Sequence, residues 1–291
     1  MAPKGKLIII GGAINTGSFT ETQFGLPQNM NFFERGILKK ITTESIRGNK
    51  SRFEIITTAS LIPEKVGEEY IKAFVQLDVH DVGVLNINNR EQANSAENCE
   101  RVKAADVIIF TGGDQLRLSS IFGGTAIHQI LLSKYQDEPV VIAGTSAGAA
   151  ASSKNMIYQG SSKDALLKGE VKITGGLGFI DGVIVDTHFV QRGRIGRLLY
   201  AVASNPGILG IGLGEDTGLY ISEGNNMEAI GSGMVILVDG RNMADTNLTD
   251  VEMGQPVSIQ NMIVHVMCDG DNYNLSEHNL TIHHPKVISA D

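Results

Sequence analysis

Cysteine is nearly absent from this chain. Cys99 and Cys268 are the only two in 291 residues, and they lie far apart, without the spacing of a metal or redox pair. A disulfide framework is thereby excluded, and the composition suits a reducing compartment. Long hydrophobic runs are missing too. After the basic start, Met1 to Lys6, only Leu7 to Ile10 precede Gly11-Gly12, too short for a signal-peptide core or a membrane span. The expected location is cytoplasmic, with no membrane partner. No Pro/Ser-rich linker, charge block or low-complexity tract divides the chain, and no repeat recurs at a fixed period. The formal net charge is -8 and no lysine/arginine cluster is interleaved with aromatics, which disfavours a nucleic-acid partner while leaving room for a local positive pocket. The glycine-rich stretch Gly11 to Gly17 lacks the G-x-G-x-x-G spacing of a dinucleotide site, so no cofactor is expected there. His283-His284 has no third ligand at a recognisable spacing and reads as a solvated tail, with no metal.

What is present is a large apolar fraction, 42% of the residues, enough for a substantial core. Lys6 to Ile10, Phe53 to Thr58, Val82 to Ile87, Val107 to Thr111 and Pro139 to Ala143 are short β-rich runs, each separated from the next by helical periodicity. That order implies parallel βαβ units and a sheet covered on both faces, an α/β sandwich of three layers. After Leu219 the chain turns strand-rich, with Gly/Asn/Asp turns, and reads as an antiparallel extension of the same sheet. One domain over 1–291 is expected, with a core at 6–224 and the extension at 225–291. Residues 16–31, with Gly25 and Pro27, read as a long polar loop that either borders the site or is an inert excursion.

In such folds, chemistry collects at the carboxyl ends of the strands. The run Val140-Val141-Ile142-Ala143-Gly144-Thr145-Ser146-Ala147-Gly148-Ala149-Ala150-Ala151 is a buried strand, a G-x-S-x-G turn and an alanine-rich helix start. A serine in that bend is a nucleophile elbow. The pentapeptide alone is short enough to arise by chance, and the alternative is a Gly/Ala turn that only packs a helix. At the end of the preceding strand, Phe110-Thr111-Gly112-Gly113-Asp114-Gln115 reads two ways. Its glycines can present N–H groups to an oxyanion while Gln115 offers an amide to substrate, or Asp114 simply caps a helix.

A serine nucleophile needs a base, and His188 ends the apolar strand Val183 to Phe189. Gln191-Arg192-Gly193-Arg194-Ile195-Gly196-Arg197 follows at once. Arg194 and Arg197, three apart, share a helix face, so a positive cluster beside His188 reads as a carboxylate grip; its alternative is a surface helix paired with acids. The next strand, Ile208 to Gly214, ends at Glu215-Asp216, either of which can orient the imidazole. Serine, histidine, acid is not the chain order of α/β-hydrolases.

These four blocks, in this order, resemble the serine peptidase family that holds cyanophycinase and peptidase E. The resemblance runs from about Lys6 to the C-terminal strands. It implies a class I glutamine amidotransferase-like fold, with serine where the amidotransferases carry cysteine, and no cofactor. It also implies Ser146 as nucleophile, His188 as base and then acid, and Glu215 as orienting carboxylate beside a non-catalytic Asp216. Gly113 and Ala147 would hold the oxyanion by their N–H groups, and Gln115, Asp186, Thr187, Arg192, Arg194 and Arg197 would shape or line the substrate pocket. Two positions depart from the family pattern, Thr187 standing where glutamine is more usual and Gly214 where many members carry aspartate. The implied activity is exo-cleavage of cyanophycin, or another β-aspartyl peptide, to β-Asp-Arg dipeptides by a homodimer. The alternatives are a peptidase E-like dipeptidase acting on Asp-X peptides and a catalytically silent binder of acidic polymers. Because imidazole must be neutral to accept a proton, activity is expected to fall on acidification through roughly pH 6 to 7, the reference range for histidine.

Overall fold

The computed structural model of the chain describes residues 2–17 and 32–284, so the polar loop read at 16–31 lies, from residue 18 on, outside the described residues. Strand β1 (Lys6–Ile10) is followed by helix α1 (Ile37–Glu44), β2 (Phe53–Ile56), α2 (Pro63–Gln76), β3 (Val82–Leu85), α3 (Ala96–Ala104) and β4 (Val107–Phe110). Next come α4 (Gln115–Phe122), α5 (Ala126–Asp137), β5 (Val141–Thr145), α6 (Ala147–Ser152), β6 (Ser153–Gln159), β7 (Lys172–Gly175) and β8 (Ile180–Asp186). The remainder is α7 (Ile195–Ser204), β9 (Leu209–Leu213), β10 (Thr217–Ser222), β11 (Asn226–Gly231), β12 (Val235–Asp239), the short pair β13 (Asp245–Thr246) and β14 (Ile259–Gln260), then β15 (Ile263–Met267), β16 (Asn272–Asn274) and β17 (Asn279–Thr281).

The α/β reading holds, with the strands divided over two main sheets where one was expected. The larger has the order β17-β16-β11-β10-β1-β5-β4-β2-β3. Its half from β3 to β1 is parallel, and β10, β11, β16 and β17 continue it antiparallel, as the turn-rich C-terminal sequence implies. The smaller has the order β15-β12-β9-β8-β6-β7, with β6, β8 and β9 parallel in its middle. The division begins directly after the elbow. Helix α6 is only six residues long, and the chain leaves it in β6, which pairs with β8 and not with β5.

Helix α6 lies between the sheets, all six of its residues buried, against β5 and β1 on one side and β6 and β8 on the other. Small side chains are what make that position possible. One continuous core joins Leu7, Ile9 and Ile142 of the larger sheet to Met156, Val183, Val185 and Ile211 of the smaller. The opposite face of the larger sheet packs on α1 and α2, through Ile8, Ile55 and Ala143 against Leu38, Ile41 and Phe74. Helix α2 has Pro63 in its first turn and buries Gly67, Tyr70, Ala73 and Phe74, a stripe at the i, i+3, i+6, i+7 spacing of one helix face. Among the described residues no helix is long and apolar enough to cross a membrane.

Candidate active site

Ser146 stands between β5 and α6 with φ 49 and ψ -106, a left-handed conformation rare for a residue with a side chain. Its N–H donates to the Ile10 carbonyl at 2.8 Å, anchoring the bend to the neighbouring strand. Both flanking glycines are required by close approach. A Cβ on Gly144 would meet the Gly148 carbonyl at 2.4 Å, and one on Gly148 would meet the Phe110 carbonyl at the same distance. The bend therefore presents the serine hydroxyl outward, over the ends of β5 and β1.

The other two members come from the smaller sheet. Two residues past β8, His188 has φ 48, and its N–H donates to the Gly11 carbonyl at 2.9 Å. Its Nε2 lies 3.0 Å from Ser146 Oγ, and its Nδ1 lies 2.7 Å from Glu215 Oε1, two residues past β9. A carboxylate can only accept, so Nδ1 carries the proton and Nε2 turns its lone pair to the hydroxyl. Glu215 is held in turn by its own N–H, which donates to Gln191 Oε1 at 3.2 Å. Gly12 makes the space for the ring: its φ is +119, and a Cβ there would lie 2.3 Å from His188 Cε1 and 2.6 Å from Nε2.

Asp216 has a different environment from its neighbour. Its Oδ1 accepts from the Asn15 N–H at 3.0 Å, its Oδ2 accepts from the Ser232 hydroxyl at 2.8 Å, and its own N–H donates to the Gly12 carbonyl at 2.9 Å. Burial pushes its carboxyl above the ordinary range, the two donors pulling the other way. It ties the turn that seats His188 to the strand end that carries Glu215.

Ser146 and His188 open into a cleft of about 520 Å³, lined also by Gly12, Gly112, Gly113, Glu69, Tyr70 and Arg192. The Gly112-Gly113 turn is locked in place. Gly113 has φ +142 with the Ala59 carbonyl where a Cβ would be, and the Asp114 N–H donates to that same carbonyl at 2.9 Å. The helix-cap reading of this segment is realised, since Asp114 caps α4, accepting from the Leu116 N–H at 2.8 Å. Ala147 is the first residue of α6, where helix N–H groups have no intrahelical acceptor.

The residues read as a pocket set are separated. Only Arg192 lines the cleft. Arg194 and Arg197 turn inward on Asp186, at 3.1 Å and 3.0 Å, and Asp186 and Arg197 are 2% and 5% exposed. The carboxylate they grip is thus the protein's own. Burial lifts the Asp186 carboxyl and lowers the Arg194 guanidinium, each opposed by the other's charge. Thr187 is buried as well, its carbonyl accepting from Arg194 at 2.8 Å. The Gln115 amide donates to the Ile157 carbonyl at 3.0 Å, tying α4 to β6 and leaving that donor engaged within the protein.

Sequence reasoning missed Gly12, Gln191, Glu69 and Tyr70. Gly12 and Gln191 stood in stretches already singled out, but their roles depend on partners distant in sequence. Glu69 and Tyr70 lie on α2, in a stretch with no motif. The Tyr70 ring is buried, with its hydroxyl near the Thr145 side chain next to Ser146.

The model of the family described as peptidase family S51 matches residues 33–228. A cyanophycinase of Trichormus variabilis is 36% identical over 227 residues, 78% of this chain and 76% of that protein. A cyanophycinase of Geminocystis herdmanii is 36% identical over 231 residues, 79% of this chain and 85% of that protein. The crystal structure of a peptidase from an acI-B1 actinobacterium superposes with a TM-score of 0.66 at 21% identity, covering 94% of this chain and 98% of that one, and so shares the fold.

Proposed function

The chain belongs to peptidase family S51 and is a serine peptidase, and from that premise we propose that it hydrolyses cyanophycin, releasing β-Asp-Arg dipeptides through an acyl-enzyme on Ser146. The observation that carries this reading is the unbroken chain from Ser146 Oγ through His188 to Glu215, at 3.0 Å and 2.7 Å, opening on a cleft that also holds Gly113 and Arg192.

In this reading Ser146 Oγ attacks the scissile carbonyl as its proton passes to His188 Nε2. Glu215 stabilises the imidazolium without taking its proton. The tetrahedral oxyanion is met by the N–H groups of Gly113 and Ala147. Collapse expels the amine, which leaves with the proton from Nε2, and water, deprotonated by the same nitrogen, releases the acyl group. Arg192 holds a substrate carboxylate, the polymer being a poly-aspartate with arginine capping each side chain through an isopeptide bond. The expected working form is a cytoplasmic homodimer, which analytical ultracentrifugation tests.

Incubation with purified cyanophycin and product analysis is the direct test. Wild-type protein is expected to release β-Asp-Arg, and Ser146→Ala to release none while melting at the parent temperature. Full activity in that variant would end the reading. Release of product from Asp-X dipeptides alone would move the specificity to the peptidase E type.

A further inference from the structure

Two side chains of full charge line the cleft beside Ser146 and His188, and they are of opposite sign: Arg192, from the turn after β8, and Glu69, from α2. Among the described residues neither is engaged in an ion pair. The other acids and bases near the site are engaged: Glu215 with His188, Asp216 with Asn15 and Ser232, Arg194 and Arg197 with Asp186. The place of Glu69 on α2 sets its backbone near the nucleophile, while its carboxylate is exposed. Glu69 precedes Tyr70, which is buried with its hydroxyl near the side chain of Thr145, the residue before Ser146. An unpaired carboxylate and an unpaired guanidinium on one cleft fit a ligand carrying both charges.

We propose that Glu69 is the cation subsite of this cleft and that it selects the guanidinium of the substrate's arginyl group while Arg192 takes a carboxylate. The identity of the cation rests on the cyanophycin reading above; the sign of the charge rests on the cleft itself. A carboxylate pairs with a guanidinium through two parallel N–H···O bonds, which a neutral urea of the same shape cannot match in charge. Glu69 is a specificity-determining residue here, with no part in bond breaking.

The test measures binding and turnover separately. The full-length Ser146→Ala protein, which cannot turn over ligand, is titrated by calorimetry with β-aspartyl-arginine and with β-aspartyl-citrulline, its neutral isostere. The arginine ligand is expected to bind roughly tenfold or more tightly, the range of a charge-assisted contact. Adding Glu69→Gln should erase that preference without changing the melting temperature, since the side chain is exposed, and adding Glu69→Lys should reverse it. Equal affinities without the Glu69 change, no binding of either ligand, or a preference that survives Glu69→Gln overturns the proposal. Cyanophycin hydrolysis by the wild type is scored independently. Discrimination without hydrolysis removes the substrate reading and keeps the subsite, and hydrolysis without discrimination does the reverse.

Discussion

Asp186 sits two residues before the proposed base, and its chemistry is entirely internal. Two guanidiniums and the Thr187 N–H converge on a carboxyl group with almost no solvent contact. Removing one member of such a cluster leaves the others buried and unpaired, so Asp186→Ala should lower stability by about 3–5 kcal/mol. Urea unfolding reads it. Arg192→Gln should leave the same transition unmoved and instead raise KM for the acidic polymer. If Asp186→Ala changed KM alone, the inward reading of Arg194 and Arg197 would fail. Asp216 offers a pH test with a definite sign. Burial raises its folded-state pKa above the unfolded value, so between the two the native state keeps a proton that the unfolded chain has released. Stability therefore declines as pH climbs through that window, and the full penalty persists above it. Asparagine can still accept from the Asn15 N–H and can donate to the Ser232 oxygen. Asp216→Asn is expected to match or exceed the parent near pH 7 and to show a flatter profile down to about pH 4, the reference range for aspartate. Greater loss at pH 7 than at pH 4 in that variant would refute the assignment.

At the scale of elements, the site is an arrangement of strand ends and of the bends that follow them. Ser146, His188 and Asp216 all have positive φ, as do Gly12 and Gly113, so the chain turns sharply at each of these points. Gly12→Ala brings both strain and a collision with the imidazole. A displacement of about 1 Å at a reacting group costs on the order of a hundredfold in rate, which is the expected loss in kcat. Gly124 is the control: its φ is +72 with nothing near its Cβ direction, so Gly124→Ala should lose about 1–2 kcal/mol of stability and no activity. Equal activity in the two variants would show that Gly12 does not set the ring. Much of this was legible beforehand. The five parallel strands announce themselves through short apolar runs, and the elbow through the glycines that flank its serine. The inward turn of Arg194 and Arg197 was not, because i, i+3 spacing places two side chains on one face without saying whether that face meets solvent or Asp186. Gly12 was read only for a phosphate loop, and its contact with His188 spans a separation that no local pattern records.

For the whole molecule, the division into two sheets matters because the proposed machinery straddles it. Ser146 is carried by β5 of the larger sheet, His188 and Glu215 follow β8 and β9 of the smaller, and α6 holds the two apart by its thickness. Strand periodicity predicts a strand without naming its neighbours, which is why β6 to β9 could be anticipated in part while their separate sheet could not. A triad divided in this way keeps hydrogen-bond geometry only if the sheets move as one body. The continuous core from Leu7 and Ile142 through Ala149 and Ala150 to Val183 and Ile211 supplies that coupling. We therefore propose that residues 1–291 form one cooperative domain, in which losing either sheet exposes the apolar surface of the other. In urea, peptidase activity, far-ultraviolet circular dichroism and tyrosine fluorescence should fall in a single coincident transition. Early loss of activity with secondary structure retained would mean that the sheets separate before they unfold. Placing leucine at Ala150 would then sharpen the distinction. Extra methylenes in a packed core cost typically 1–3 kcal/mol, and at this position they would force the two sheets apart. Coupled sheets should lose activity and shift the whole transition to lower urea together, whereas independent sheets would lose activity with the stability of each unchanged.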